Sequence, residues 1–283
     1  MSKTDRSQFS FEFFPPRTAA GEAKLDEVHA ELAQLKPDFF SVTYGAGGST
    51  KEGTRQIVLR YTELGSTVAP HLSFGGLDED ELQRLLQNYK EKGISRIVAL
   101  RGDMPSGMGA ASQHRYANEL VEFIRRVTGD YFHIDVACYP EVHPQSATYK
   151  ADVDFFKRKV DAGANSAITQ YFYNADAYFR FVEYCASREI SIPIVPGIMP
   201  ITNYANLARF SANCGAEIPQ WLEHRLSTFG DDAEGLRNFG IDVVTRLCEQ
   251  LLAGGAPGLH FYSMNLAKSV TQIWNNLSLS DRR

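Results

Sequence analysis

The sequence predicts an α/β fold, a (β/α)8 barrel in one domain. Three observations predict it: short apolar runs recur roughly every thirty residues, amphipathic segments separate them, and no break in composition interrupts the series. The first run, 9–14, alternates Phe9, Phe11 and Phe13 with Ser10 and Glu12. Leu25, Val28, Leu32 and Leu35 follow at helical spacing. Runs 39–43 and 68–73 come next. A segment carrying Leu82, Leu85, Leu86 and Tyr89 then has Asp78 as its N-cap and Gly93 as its stop. Runs 96–100, 134–139 and 167–170 continue the beat. After Asn174 the helical pattern returns in Tyr178, Phe181, Val182 and Cys185. Run 194–197 precedes a gap of double length, which predicts extra helices, one near 204–213. A last helix carries Phe239, Val243, Val244, Leu247 and Leu251 to Gly254-Gly255, and run 259–262 completes the set. Each run is too short for a globular helix and rich in Phe, Val, Ile or Tyr, so each reads as a strand. An open doubly wound sheet would show the same alternation; the regular beat favours closure. We expect residues 1–283 to form one catalytic barrel, with 1–8 and 278–283 frayed.

The chain has 283 residues, 43% of them hydrophobic, enough for a large core. Its net charge of −5, from 29 basic and 34 acidic residues, argues against nucleic acid or an anionic membrane as partner. No stretch is long and apolar enough to span a bilayer, and the polar opening MSKTDRSQ lacks a signal-peptide core. The expected location is cytoplasmic. Cys138, Cys185, Cys214 and Cys248 are isolated, and read as ordinary thiols rather than a disulfide framework or a metal knuckle.

A parallel barrel places its site at the C-terminal ends of its strands. Those ends deliver Glu12, then Thr43-Tyr44 with GAGGST, then His71, then Arg101 and Asp103. They go on to Tyr139, Glu141 and His143, then Thr169-Gln170-Tyr171, then VPGIMPITN, and finally Tyr262 and Asn265. Singly, each has a bland reading: His71 is a hydrogen-bonded core histidine, Tyr139 is packing. Together they make a ring, and hence a site hypothesis. The ring narrows the chemistry. His71 and His143 lack metal-ligand spacing, so no metal is expected. No GxSxG elbow, Walker loop or strand lysine for a Schiff base is present, and GAGGST has the wrong glycine spacing for a dinucleotide fingerprint. What remains is an aromatic-rich pocket with one acid in a greasy run and a second beside an arginine, suited to a flat conjugated ligand.

The strings SFEFFPPRT, SVTYGAGGST, APHL, IVALRGDMP, YPEVHP, KRKVDAGANSAITQYF, PGIMPITN and HFYSMN occur in this order. Together they resemble the bacterial short form of the methylenetetrahydrofolate reductases, from about residue 9 to about residue 277. The resemblance implies a barrel with non-covalent FAD and a reaction in two halves. A reduced nicotinamide gives hydride to the flavin, and the flavin then gives it to methylenetetrahydrofolate. The product is methyltetrahydrofolate, the methyl donor for methionine synthesis.

Residue by residue, Glu12 matches the family's proton donor. Opening the folate ring to an iminium ion needs a proton on the departing nitrogen. Flanking Phe11 and Phe13 are expected to raise the Glu12 pKa by desolvation. The competing reading makes Ser10 and Glu12 the solvated side of an ordinary strand. Asp103 matches the acid near flavin and pterin. Gln170 matches a contact to folate and nicotinamide, Phe210 a ring stacked on either substrate, and Thr43 a nicotinamide contact. For FAD the match gives Tyr44, Ala46, His71, Arg101, Gly102, Asp103, Ala117, Tyr139, His143, Asp152, Arg158 and Lys159. Of these, Arg158 and Lys159 would pair with the diphosphate; by themselves they read as a solvated helix face. Three positions depart from the family pattern: Phe155 replaces a flavin-contacting asparagine, Ser146 an alanine, and Leu266 a folate-contacting arginine, for which Lys268 is the nearby candidate. The resemblance further implies a homo-oligomer, favours NADH over NADPH, and gives no ground for regulation by adenosylmethionine. Two other readings stay open: another FAD barrel, such as one oxidising proline, and a flavin- or folate-binding module without turnover.

Overall fold

A computed structural model describes residues 6–44, 51–74, 77–101 and 116–281. Strands and helices alternate along it. The first half runs β1 (Gln8–Phe13), α1 (Ala19–Ala33), β2 (Phe39–Val42), α2 (Lys51–Glu63), β3 (Val68–Leu72), α3 (Glu79–Glu91), β4 (Arg96–Ala99) and α4 (Ala117–Thr128). Then come β5 (His133–Cys138), α5 (Tyr149–Asp161), β6 (Ser166–Thr169), α6 (Ala175–Ser187), β7 (Ile194–Val195) and β8 (Gly197–Ile198). Three helices fill the long gap, α7 (Tyr204–Cys214), α8 (Gln220–Ser227) and α9 (Ala233–Ala253), before β9 (Gly258–Tyr262) and α10 (Lys268–Asn276).

Every pairing is parallel, in the order β7-β6-β5-β4-β3-β2-β1-β9-β8. The seventh strand position, expected as one run, is two segments split at Pro196. β7 pairs with β6 and β8 with β9, so this broken strand closes the barrel. Pro196 has no N–H for a ladder but still accepts the His260 N–H at 3.0 Å. The neighbouring Gly197 admits no side chain: a Cβ there would lie 2.2 Å from the Thr169 carbonyl oxygen and 2.6 Å from the Tyr262 ring.

The alternation in β1 is the barrel wall seen from both sides. Phe9, Phe11 and Phe13 point outward and are fully buried against the helical layer. There Phe9 and Phe11 meet Trp274 at 5.4 and 5.5 Å, and Phe13 stacks on Phe40 at 5.2 Å. Burying each such ring stabilises the fold by about 1.5–3 kcal/mol. Gln8, Ser10 and Glu12 point inward. The solvated-strand reading of Ser10 and Glu12 is thus corrected: their polar side faces the barrel axis. Inside, Phe39, Ala69, Val98 and Ile168 form a separate apolar plug that carries the polar mouth above it.

Caps appear where the sequence places them. Asp78 and Glu81 form a capping box at α3, and Asn174 caps α6. The expected fraying is too broad at both ends. The Gln8 N–H pairs with the Pro257 carbonyl, Leu279 is fully buried, and the Trp274 indole donates to the Ser280 hydroxyl at 3.2 Å. Among the described residues no helix is long and apolar enough to cross a membrane, and no His, Cys, Asp or Glu cluster has the makings of a metal site.

Candidate active site

Glu12 closes the inner row of β1 at the barrel mouth. Its Oε2 lies 3.3 Å from His71 Nε2 and 3.5 Å from His260 Nε2, with the carboxylate side chain 18% exposed. His260 is fully buried, and its Nδ1 shares a 2.7 Å hydrogen bond with the Ser10 hydroxyl. Neither imidazole Nε2 completes a well-formed hydrogen bond among the described residues, although both lie within ion-pair reach of the carboxylate. Two features hold the row in register: Ser10 sits opposite His260 in the β1–β9 ladder, and the Ser263 hydroxyl donates to the Glu12 carbonyl.

Burial, the largest single influence on Glu12, raises its pKa, but charge and hydrogen bonding from His71 and His260 outweigh it. The group is held down to about 2. This corrects the expectation of a raised value. Phe11 and Phe13 turn to the helices, and the carboxylate's neighbours are imidazoles.

Beside this mouth runs a cleft of about 530 Å³ between the ends of β4 and β5 and the helices α4 and α5. It gathers Tyr44, Arg101, Ala117, Tyr139, His143, Asp152 and Lys159, together with the two departures Phe155 and Ser146. Tyr139 and His143 meet edge to face at 4.6 Å. Asp152 fixes the loop between them and α5: it accepts the His143 backbone N–H at 3.0 Å and the Ser146 hydroxyl at 2.9 Å. Lys159 reaches inward and donates to the Ala137 carbonyl at 2.5 Å. Burial draws its pKa down, with Cys138 and Asp152 pushing back. Arg101 donates to Gln145 at 2.6 Å. Among the described residues the buried Tyr44 hydroxyl has no hydrogen-bond partner, and burial raises its pKa.

The remaining expected residues are not among those lining this cleft, or fall outside the described residues. His71 stands in the mouth against Glu12 rather than on the cleft wall. Arg158 is at the rim, its guanidinium 5.0 Å from the Phe155 ring centre. Thr43 is anchored at the end of β2, its N–H on the Phe13 carbonyl and its own carbonyl receiving the Thr54 hydroxyl. Gln170 follows β6, its N–H on the Cys138 carbonyl. Phe210 is half-buried on α7 beneath Arg209, at 5.4 Å. Leu266 and Lys268 are both exposed. Ala46, Gly102 and Asp103 lie outside the described residues.

Sequence reasoning missed His260 and Ser10 as site members. The signal was available in the two-residue period of a strand, which places His260 on the same face as Tyr262. It also missed a second charged group inside the barrel, Arg96 with Asp135.

A cleft of this size, lined by Tyr44, Tyr139, Ala99 and Ala137 together with Arg101 and Lys159, suits a flat, anionic cofactor. The Tyr44 hydroxyl, which has no partner among the described residues, adds a donor for such a molecule. FAD therefore fits the residues present.

The family model for methylenetetrahydrofolate reductase matches residues 1–278. A 5,10-methylenetetrahydrofolate reductase of Buchnera aphidicola is 39% identical over 277 residues, covering 97% of this chain and 93% of the relative. A maize protein named methylenetetrahydrofolate reductase (NADH) 1 is 38% identical over 97% of this chain, which spans 49% of that relative. In fold, the chain superposes on a Clostridium thermocellum protein solved with two copies of 5-methyl-5,6,7,8-tetrahydrofolic acid. The TM-score is 0.70 at 18% identity, over 99% of this chain and 97% of the other. On this whole-length match, the chain belongs to the methylenetetrahydrofolate reductase family.

Proposed function

We propose that the chain reduces methylenetetrahydrofolate to methyltetrahydrofolate at the expense of NADH, with FAD held non-covalently in the strand-end cleft. The observation that carries the reading is Glu12 at the barrel mouth, in reach of two imidazoles and beside that cleft. When bound, FAD would supply the hydride chemistry that links nicotinamide to the one-carbon unit. Every other task falls to the chain. Lys159, with Arg158 and Arg101, would meet the diphosphate. Tyr44, Tyr139, His143, Ala117 and Asp152 would shape the rest of the cofactor's seat. Thr43, Gln170 and Phe210 would position nicotinamide and folate in turn.

Glu12 would put the proton on the folate nitrogen that leaves as the ring opens, giving the iminium carbon that accepts hydride. The overall step balances: methylenetetrahydrofolate, NADH and one proton give methyltetrahydrofolate and NAD⁺. The Glu12–His71–His260 group can hold that proton on either a carboxyl oxygen or an imidazole nitrogen. A proton donor with its reserve alongside needs no access to bulk water during the step. The NADH in the maize relative's name supports the choice of nucleotide. The methyl product suits methyl transfer to a thiol, as in methionine synthesis.

The test is colour. The purified protein should be yellow, bleach anaerobically with NADH, and recolour on methylenetetrahydrofolate. A protein that bleaches with proline and ignores folate would overturn the reading.

A further inference from the structure

At the outer end of the strand-end cleft stand two rings that the functional reading leaves unused. Tyr116 and Phe155 both line it, and their rings lie 6.3 Å apart between centres and 18° from parallel. They remain 48% and 42% exposed, unusual for a pair of large aromatics on a single cleft wall. The Arg158 guanidinium lies over Phe155 at 5.0 Å and extends the stack by one more flat group. On α5, Phe155 is three residues after Asp152 and four before Lys159, so all three share one helix face. The cleft lining thus combines apolar Ala99 and Leu100, the Lys159 side chain and an aromatic pair. Those surfaces match a dinucleotide's parts: ring system, diphosphate, purine.

We propose that Tyr116 and Phe155 form the stacking platform for the purine of FAD; the proposal rests on the functional reading above. A flat ring held between two others needs about 7 Å. The pair is already close to that spacing, and exposed rims leave it free to part. Phe155 thereby replaces a polar contact of the family pattern with a stacking one. Base–aromatic stacking changes affinity by roughly 5- to 150-fold per base.

The test uses purified protein and follows flavin fluorescence released on dilution, then reconstitution with FAD or with FMN, which lacks the adenosine half. Phe155→Ala and Tyr116→Ala should each weaken FAD binding by about tenfold and leave FMN binding unchanged. Phe155→Trp should keep the wild-type affinity for FAD. Unchanged FAD affinity in both alanine variants would overturn the platform, as would equal losses for FAD and FMN. A raised KM for NADH with FAD retention intact would give the rings to the nicotinamide dinucleotide instead, and would also overturn it. A wild-type chain that binds neither flavin would overturn the functional reading and the platform with it; failure of the platform alone leaves wild-type FAD binding intact.

Discussion

Among the described residues, two carboxylates stand inside this barrel, one buried and one partly open. Asp135, near the N-terminal end, is fully buried and gripped by Arg96 through two bonds of 2.6 and 2.8 Å. The Ser166 hydroxyl adds a third bond at 2.5 Å, and Arg96 also reaches Gln8 and lies 3.8 Å over the Phe39 ring. Burial alone would raise Asp135's pKa, but Arg96 and His133 hold it well below the usual carboxylate range. Glu12, at the other end, is partly open and faces two imidazoles at 3.3 and 3.5 Å. A guanidinium never gives up its charge, so Asp135 has one state. Imidazole gains and loses a proton near neutrality, so the balance at Glu12 can move. Structural permanence and chemical exchange are thus built into one barrel by the choice of cation facing each acid. A barrel fold keeps its chemistry at one end and its stability at the other.

The comparison can be broken in four places. The largest effect is expected at Glu12: Glu12→Gln should lower steady-state folate reduction by about 10²–10⁴-fold, the usual weight of a proton donor, in an NADH–folate assay. Next, Asp135→Asn should cost about 3–5 kcal/mol of stability, because it strands Arg96 as a buried unpaired charge. Urea unfolding checks this, and any folded fraction of that variant should keep both half-reactions. Third, Lys159→Met should weaken FAD retention by about 1.5–3 kcal/mol with the fold intact, measured as flavin released on dilution.

The smallest effect lies in pH. Glu12 has a depressed folded pKa of about 2 against an ordinary 4.5. Its stabilisation is therefore present above pH 4.5 and lost as pH falls through 2. Urea midpoints should fall less steeply there for Glu12→Gln than for the wild type. Parallel curves would mean that the histidines do not hold the carboxylate.

Much of this was legible in the chain. Phe11 and Phe13 flanking Glu12 announced a two-faced strand, and Asp78, Gly93 and Asn174 marked helix ends. Two things were not legible. Pro196 splits the seventh strand, and only the pairing of each half with a different neighbour shows that the split closes the barrel. Flanking residues also misled on Glu12's acidity, because in a strand the sequence neighbours point to the opposite face. Its true neighbours, His71 and His260, come from β3 and β9, and Asp135 meets Arg96 across the β4–β5 ladder. Such contacts depend on register between strands, which local composition does not encode.

The measurement that bears most directly on Glu12 is anaerobic stopped-flow of the Glu12→Gln variant, with its two half-reactions followed separately at 450 nm or so, where oxidised flavins absorb. Bleaching by NADH should proceed near the wild-type rate, while reoxidation by methylenetetrahydrofolate should nearly stop. Equal slowing of both halves, or reoxidation at the wild-type rate, would contradict the proton-donor role given to Glu12.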